Sequence, residues 1–247
     1  MNKGATKCEI CPIGSGVNEL HTSCSKCPKG TYSNEQTNGL CVSCGNGEIS
    51  EEGSTTCTKC SKGYGVNSEG NKCVKCEIGY YSSEEGKGCY KCPENTYSDE
   101  EGSVECKLCP QGTGSELGST SFDSCIICPL GYYSTGEGKG CSQCDIGSIS
   151  TEFNVTECIK CQQGYGANKD RTKCEICKPG YYSPSEGSGC LLCPENTYTD
   201  KEGMKECKNC LAGHGGTEDR TRCEICQPGM YSLTERSSCL PCTNGMY

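Results

Sequence analysis

Thirty of the 247 residues are cysteine, and each belongs to a Cys-x-x-Cys pair. Thiol pairs at this spacing support three chemistries. Two pairs can enclose a zinc ion with four thiolates. One pair at a helix N-terminus, where the thiol pKa is lowered, can exchange disulfides. Oxidised cysteines can staple a chain too poor in apolar residues to fold otherwise. The fifteen pairs begin at Cys8, Cys24, Cys41, Cys57, Cys73, Cys89, Cys106, Cys125, Cys141, Cys158, Cys174, Cys190, Cys207, Cys223 and Cys239, in steps of 16 or 17 residues with one step of 19 after Cys106. No stretch has helical periodicity long enough to supply the N-terminus that a redox pair needs. Zinc would take the pairs two by two and leave one of the fifteen over. Leu, Ile, Val and Phe together number only 29, and Trp is absent. Such a chain is normally disordered, unless a dense disulfide framework replaces the core.

Other reactive groups are sparse or unplaced. His214 occupies the position of Tyr64 and Tyr165 in its module and reads as a packing residue; the remaining histidine is His21. The carboxylates sit in Glu-Gly turns, and no motif pairs them. A net charge of −9 and a pI near 4.9 exclude nucleic acid and anionic membrane surfaces as partners. Asp99, Glu100 and Glu101 lack EF-hand spacing. No triad, phosphate loop or dinucleotide fingerprint occurs. The expectation is a chain that is not an enzyme, with no catalytic, cofactor-binding or metal-ligating residues and no cofactor.

The elements that hold the cysteines form a nested repeat. Modules starting at Cys8, Cys57, Cys106, Cys158 and Cys207 carry Gly-x-Gly after the pair, for example Gly14/Gly16 and Gly63/Gly65. Each is followed by a module with an aromatic-Ser motif at Tyr32, Tyr81, Tyr133, Tyr182 or Tyr231, and then by a third type seen at Pro93–Tyr97 and Pro194–Tyr198. Three short modules therefore make a long repeat of about 49 residues. The expected long repeats are 8–56, 57–105, 106–157, 158–206 and a truncated 207–247. Within a module, Gly stands three residues after the second cysteine thirteen times and Asn (Asn95, Asn196) twice. These residues most readily adopt the left-handed conformation. With Pro after the second cysteine in six modules, this reads as the three-residue loop of a hairpin. An aromatic or Ile follows two residues later (Tyr32, Ile49, Tyr97, Tyr247 and others), and a Glu-Gly turn precedes the next pair. The fold class expected is small disulfide-rich β: an elongated rod of stacked short β-hairpins with little regular secondary structure, each cystine and Tyr covering the next.

Spacing alone does not fix the connectivity. Pairing first with first and second with second cysteines joins modules in twos and leaves one over. Joining the second cysteine of each pair to the first of the next makes every module equivalent, and this scheme is preferred: Cys11–Cys24, Cys27–Cys41, Cys44–Cys57, Cys60–Cys73, Cys76–Cys89, Cys92–Cys106 and onward, with Cys8 and Cys242 unpartnered. A Cys11–Cys27 bond would count against it.

The run Cys24–Ser33 resembles the ephrin-receptor-like and growth-factor-receptor cysteine-rich modules. Uninterrupted arrays at this step also resemble protist surface proteins, namely the ciliate immobilisation antigens and Giardia variant surface proteins. The resemblance covers essentially the whole chain and implies an extracellular or cell-surface location, often with a lipid anchor, of which no signal is seen. The Gly-x-Gly modules are also similar to the DnaJ zinc repeat, but miss it by one residue before the first Gly.

A disulfide ladder needs an oxidising compartment. Met1–Cys8 holds no apolar leader and no run is long enough to span a bilayer, so the expectation is a mature segment, a window of a longer array. Asn154-Val155-Thr156 is a candidate N-glycosylation site. Tyr80, Tyr132 and Tyr181, the first residues of the Tyr-Tyr pairs, are expected on the opposite strand face as a contact stripe for a partner chain or glycans. The functional expectation is a structural glycoprotein of a surface coat or filament, associating with itself or other coat chains. The alternative is a ligand-binding or spacer region of a receptor ectodomain.

Overall fold

The computed structural model describes residues 8–243. Tyr247 and the leading Met1–Lys7 lie outside the described residues, as does the end of the fifth long repeat. The chain divides into two compact parts, one of residues 1–110 with 114–126, the other of residues 111–113 with 127–247.

In both parts the repeated element is a minimal antiparallel hairpin. Fourteen two-stranded sheets occur among the described residues, with strands of two or three residues. In the first part, Ser15–Val17 pairs with Cys24–Lys26, with Gly16 opposite Ser25; Tyr64–Val66 pairs with Cys73–Lys75 in the same register. In the second, Tyr165–Ala167 pairs with Cys174–Ile176, and His214–Gly216 with Cys223–Ile225. The second strand of each of these four hairpins thus starts on the first cysteine of a pair. A two-stranded hairpin this small is not stable alone in water, so its order must come from neighbours and covalent bonds.

The Cys-Pro-x-Gly turn lies elsewhere than the sequence suggests. It does not connect the two strands of one hairpin. It joins the second strand of one hairpin to the first strand of the next: Thr31 N–H donates to Pro28 O (3.1 Å) between strands Cys24–Lys26 and Thr31–Tyr32, which pair with different partners. The cystine decides this, because bonding Cys11 to Cys24 draws Cys24 opposite Val17, before the Pro28 turn begins. Inside the hairpin, the connection is the segment before the next pair. In residues 67–72 it is organised by a side chain: Asn67 Oδ1 accepts from Asn71 N–H (3.1 Å) and Lys72 N–H (3.0 Å). Asn18 and Asn168 do the same at their positions. Such Asx-type bonds close loops without a helix or sheet partner.

Stacking is built from backbone bonds that repeat from hairpin to hairpin. In the first part Gly63 N–H donates to Ser82 O (2.9 Å), Ser82 N–H to Ser103 O (3.0 Å), and Gly102 N–H to Cys76 O (2.8 Å). The second part repeats these bonds as Gly164 to Ser183 (3.1 Å), Ser183 to Met204 (2.9 Å) and Gly203 to Cys177 (2.8 Å). Within each part these bonds join successive hairpins, and several loops reach back to the junction before the previous hairpin. Two single turns of 3-10 helix, Glu35–Thr37 and Phe122–Ser124, complete the regular structure of the described residues. The second lies in the long step, where Phe122 meets Tyr97 edge-on at 6.2 Å between ring centres.

The core differs from the expected stack of cystine and Tyr. In the first part it consists of second cysteines of the pairs (Cys27, Cys60, Cys76, Cys92, Cys109) and of hydroxyl side chains (Ser33, Ser82, Ser98), with Tyr97 buried beside them. In the second, Cys128, Cys161, Cys177 and Cys210 play the same part with Ser134, Ser150, Ser183 and Thr199. Tyr32, Tyr81, Tyr133 and Tyr182, unlike Tyr97, remain half-buried, and Tyr231 is exposed.

Candidate functional site

The repeated chemical feature of the chain is its ladder of cystines. Fourteen bonds join the second cysteine of one pair to the first of the next, from Cys11–Cys24, Cys27–Cys41, Cys44–Cys57, Cys60–Cys73, Cys76–Cys89 and Cys92–Cys106 through to Cys226–Cys239. Each closes a loop of 13 to 16 residues. In the chain-entropy account a loop of about 15 residues stabilises by roughly 3 kcal/mol. Among the described residues Cys8 and Cys242 form no disulfide. Local bonding seats each cystine. Gly63 O, at the entrance to its hairpin, accepts from Cys76 N–H (2.9 Å), and Gly164 O accepts from Cys177 N–H (2.9 Å). Every second cysteine from Cys27 to Cys242 makes the equivalent bond, with Asn95 and Asn196 replacing Gly in two of them.

Glycine is required at two points of the Gly-x-Gly module. The first Gly, at φ 78 in Gly63, packs against the Gly102 turn two hairpins on. A Cβ on the second, Gly65, would lie 2.7 Å from Cys89 Sγ, so the neighbouring cystine takes the space a side chain would need. Gly16 meets Cys41 Sγ in the same way, and Gly166 meets Cys190 Sγ.

Buried hydroxyls are the functional residues that sequence reasoning passed over. Ser33, Ser82 and Ser183 have no exposed surface. Ser98 Oγ donates to Glu100 O (3.1 Å), Ser150 Oγ to Glu152 O (2.8 Å) and Ser82 Oγ to Glu84 O (3.3 Å), tying down the start of each following turn. The signal was present, since every one of them follows the recurring Tyr or Ile.

Charge lies at the surface. Lys107 Nζ stands 2.6 Å from Asp99 and 3.3 Å from Glu100; Lys208 Nζ is 2.9 Å from Asp200, the equivalent residue 101 positions later, and 5.7 Å from the Tyr198 ring centre. The hydrogen bond from Lys107 holds Asp99 below the usual carboxylate range, and donating to Asp99 and Glu100 raises Lys107. Asp200 and Lys208 are shifted the same way by each other. His214 is half-buried, with Nδ1 3.2 Å from Ala212 O; His21 is exposed at φ 54. Among the described residues no group of three or more His, Cys, Asp or Glu is placed to hold a metal ion.

The three tyrosines of the expected stripe have unequal surroundings. Tyr80 is half-buried opposite Lys91 and lines a groove of about 370 Å³ with Val66, Val74, Lys75 and Tyr90. Tyr132 is half-buried opposite Gln143, and Tyr181 is exposed opposite Leu192. Asn154 is exposed at φ 58 in the loop before Cys158.

A family model described as tyrosine-protein kinase ephrin type A/B receptor-like matches residues 14–49, 79–125, 164–210 and 180–221, more than half of the chain. The chain belongs to this family. No curated protein matches it. The ephrin-receptor-like repeats here are cysteine-rich extracellular modules whose fourteen cystines require an oxidising compartment. Among the described residues no helix is long and apolar enough to cross a membrane.

Proposed function

We propose that the chain is a structural, non-catalytic repeat of a cell-surface coat or filament, associating side by side with copies of itself or related coat chains. One observation carries this reading: the strands between the two cysteines of most pairs expose apolar side chains, the pairs that begin at Cys24, Cys57, Cys141 and Cys207 being the exceptions. Val42, Val74, Tyr90 and Leu108 do so in the first part, and Ile159, Ile176, Leu192, Ile225 and Leu240 in the second. Covalent bonds hold those strands, so stability does not require burying these residues in the fold, and apolar surface left open on a secreted chain marks contact with partners.

Sedimentation of the purified chain over a range of concentrations tests the proposal. Reversible assembly is expected in the wild type, and its loss when Tyr90 and Leu108 are both changed to Glu. A wild-type chain that stays monomeric throughout overturns it. That outcome would favour a second reading, a spacer or ligand-binding region of a receptor ectodomain, which the receptor named in the family description supports.

A further inference from the structure

We infer that Asn154 is an N-glycosylation site, and that its glycan projects from a hairpin loop at the place other repeats fill with glycine. The inference rests on the extracellular reading above, though not on self-association. Asn154-Val155-Thr156 supplies the acceptor amide and the hydroxyl that N-glycosylation requires.

The structure adds where that amide sits. In the first part, Gly53 (φ 77) and Gly102 (φ 74) each turn a hairpin loop back against the first Gly of a Gly-x-Gly module, Gly14 and Gly63 respectively. In the second part Gly203 (φ 70) does so against Gly164, and Asn154, at φ 58, does so against Gly112. Asn tolerates the left-handed conformation better than other side-chain-bearing residues, so it can replace glycine there and still carry an amide. Asn154 Oδ1 rests over Gly112, which has no side chain to crowd it.

The amide is available for modification. Asn154 and Thr156 are exposed. Among the described residues no hydrogen bond engages the Asn154 side chain, whereas Asn18, Asn67 and Asn168 spend theirs on loop amides. The loop is also less tied than its counterparts. Gly53 N–H donates to Cys27 O, Gly102 N–H to Cys76 O and Gly203 N–H to Cys177 O, and no equivalent bond from Asn154 occurs among the described residues. Ser134 N–H still donates to Val155 O (3.0 Å), so the stacking rung beside the site is kept. A glycan on Nδ2 therefore breaks no bond of the fold and sits at the hairpin's loop end.

The step is a group transfer from an oligosaccharide carried on a lipid diphosphate. Asn154 Nδ2 bonds to C1 of the reducing-end sugar. The C1–O bond to the diphosphate breaks, its electron pair leaving on the diphosphate oxygen, and one Nδ2 proton passes to a base of the transferase. No electrons are exchanged with any other reagent.

The test is secretion of the full chain from a eukaryotic cell behind a cleaved leader, with intact mass measured before and after peptide-N-glycosidase. The wild type is expected to lose the mass of one glycan, and the peptide bearing Asn154 to carry the resulting Asp. Thr156→Ala, which leaves Asn154 in place, and Asn154→Gln should both be secreted with unchanged cystine maps and no glycosidase-sensitive mass. A secreted wild type whose mass the glycosidase leaves unchanged overturns the inference while leaving the coat reading standing. Glycosidase-sensitive mass that persists in both variants overturns the assignment to Asn154. Because the leader enforces export, neither result depends on whether copies of the chain associate.

Discussion

Substituting Gly65 by Ala asks whether the glycines of the long repeat are there to admit the neighbouring cystine. The added Cβ would stand 2.7 Å from Cys89 Sγ and 3.3 Å from Cys89 N. Neither atom can retreat freely, since Cys89 is bonded to Cys76, which is 1 % exposed. Backbone conformation is no obstacle, because Gly65 is an ordinary strand residue opposite Val74. Inserting a methyl into a closely packed site costs about 1–3 kcal/mol. Against that, replacing Gly narrows the unfolded ensemble and returns about 0.4–1 kcal/mol. The net expectation is a local loss of about 1–2 kcal/mol. Gly45→Ala is the control, since its nearest neighbour is the movable carboxylate end of Glu48 at 3.4 Å; it should be neutral or slightly stabilising. Native-state hydrogen exchange with disulfides intact reads the effect where it falls, at the amides of Cys76 and Gly63, which bond to Gly63 O and Ser82 O. Every 1.4 kcal/mol is about tenfold, so exchange there should quicken by roughly tenfold in Gly65→Ala. Exchange no faster than in Gly45→Ala would refute the argument that cystine packing demands this glycine.

Replacing Cys60 and Cys73 together by Ser opens one closed loop and should cost about 2–4 kcal/mol, appearing as protease cleavage confined to residues 60–73 while more distant hairpins resist. Ser82→Ala removes a fully buried hydroxyl that bonds Glu84 O and should lower stability by about 1 kcal/mol, measured as a shift in denaturant midpoint. For Asp99, whose pKa is lowered by Lys107, the pairing contributes above the carboxylate's unfolded pKa and is lost as pH falls through the folded value. For Lys107, whose pKa is raised, it contributes below the unfolded value and is lost as pH rises through the folded one. Lys107→Gln should therefore move the Asp99 titration, followed by carbon-13 NMR, up toward the ordinary carboxylate value. Little change in stability should accompany it, because the pair is exposed to solvent.

Spacing made the hairpin count and the oxidised fate of the cysteines legible, because a 16-residue step with few apolar residues leaves few other ways to order a chain. The left-handed Gly and Asn three residues after most pairs were legible for a similar reason, since the backbone there excludes most side chains, but Gly47 and Gly147 at the same position are not left-handed. What escaped was set by tertiary bonds. Cys-Pro-x-Gly is a turn in either reading, and only the Cys11–Cys24 bond decides that the strands before and after it pair with different partners. Gly70, Arg171 and Arg220 occupy matching loop positions with φ of 75, 58 and 56, yet only one of them is glycine. The loops around them over-determine the conformation. Asn67 and Asn168 bond the two following loop amides, and Arg171 O and Arg220 O accept from Ser150 and Thr199 N–H. Strain of order 1 kcal/mol persists when surrounding bonds impose it.

The same reasoning explains why hydrophobic pattern was a poor guide to burial in this chain. Where an apolar core holds a strand, its Val, Ile and Leu must point inward or the strand is lost. Here each strand between two cysteines is fixed at its ends by cystines and along its length by pairing with the first strand of its own hairpin. The interior is filled mainly by sulfur and hydroxyls, with Tyr97 and Ile149 as larger members, and none of it comes from the residues between the cysteines, which are therefore free to vary without unfolding the hairpin. Exposed Ile159 stands where Thr58 and Ser142 stand in other modules, and exposed Ile225 where Lys59 and Gln143 stand. That freedom separates stability from surface chemistry: contacts made by these strands can be altered while the cystine frame stays unchanged. Changing Tyr90 and Leu108 to Glu should therefore leave the cystine map and hydrogen-exchange pattern as they are, even where it abolishes association.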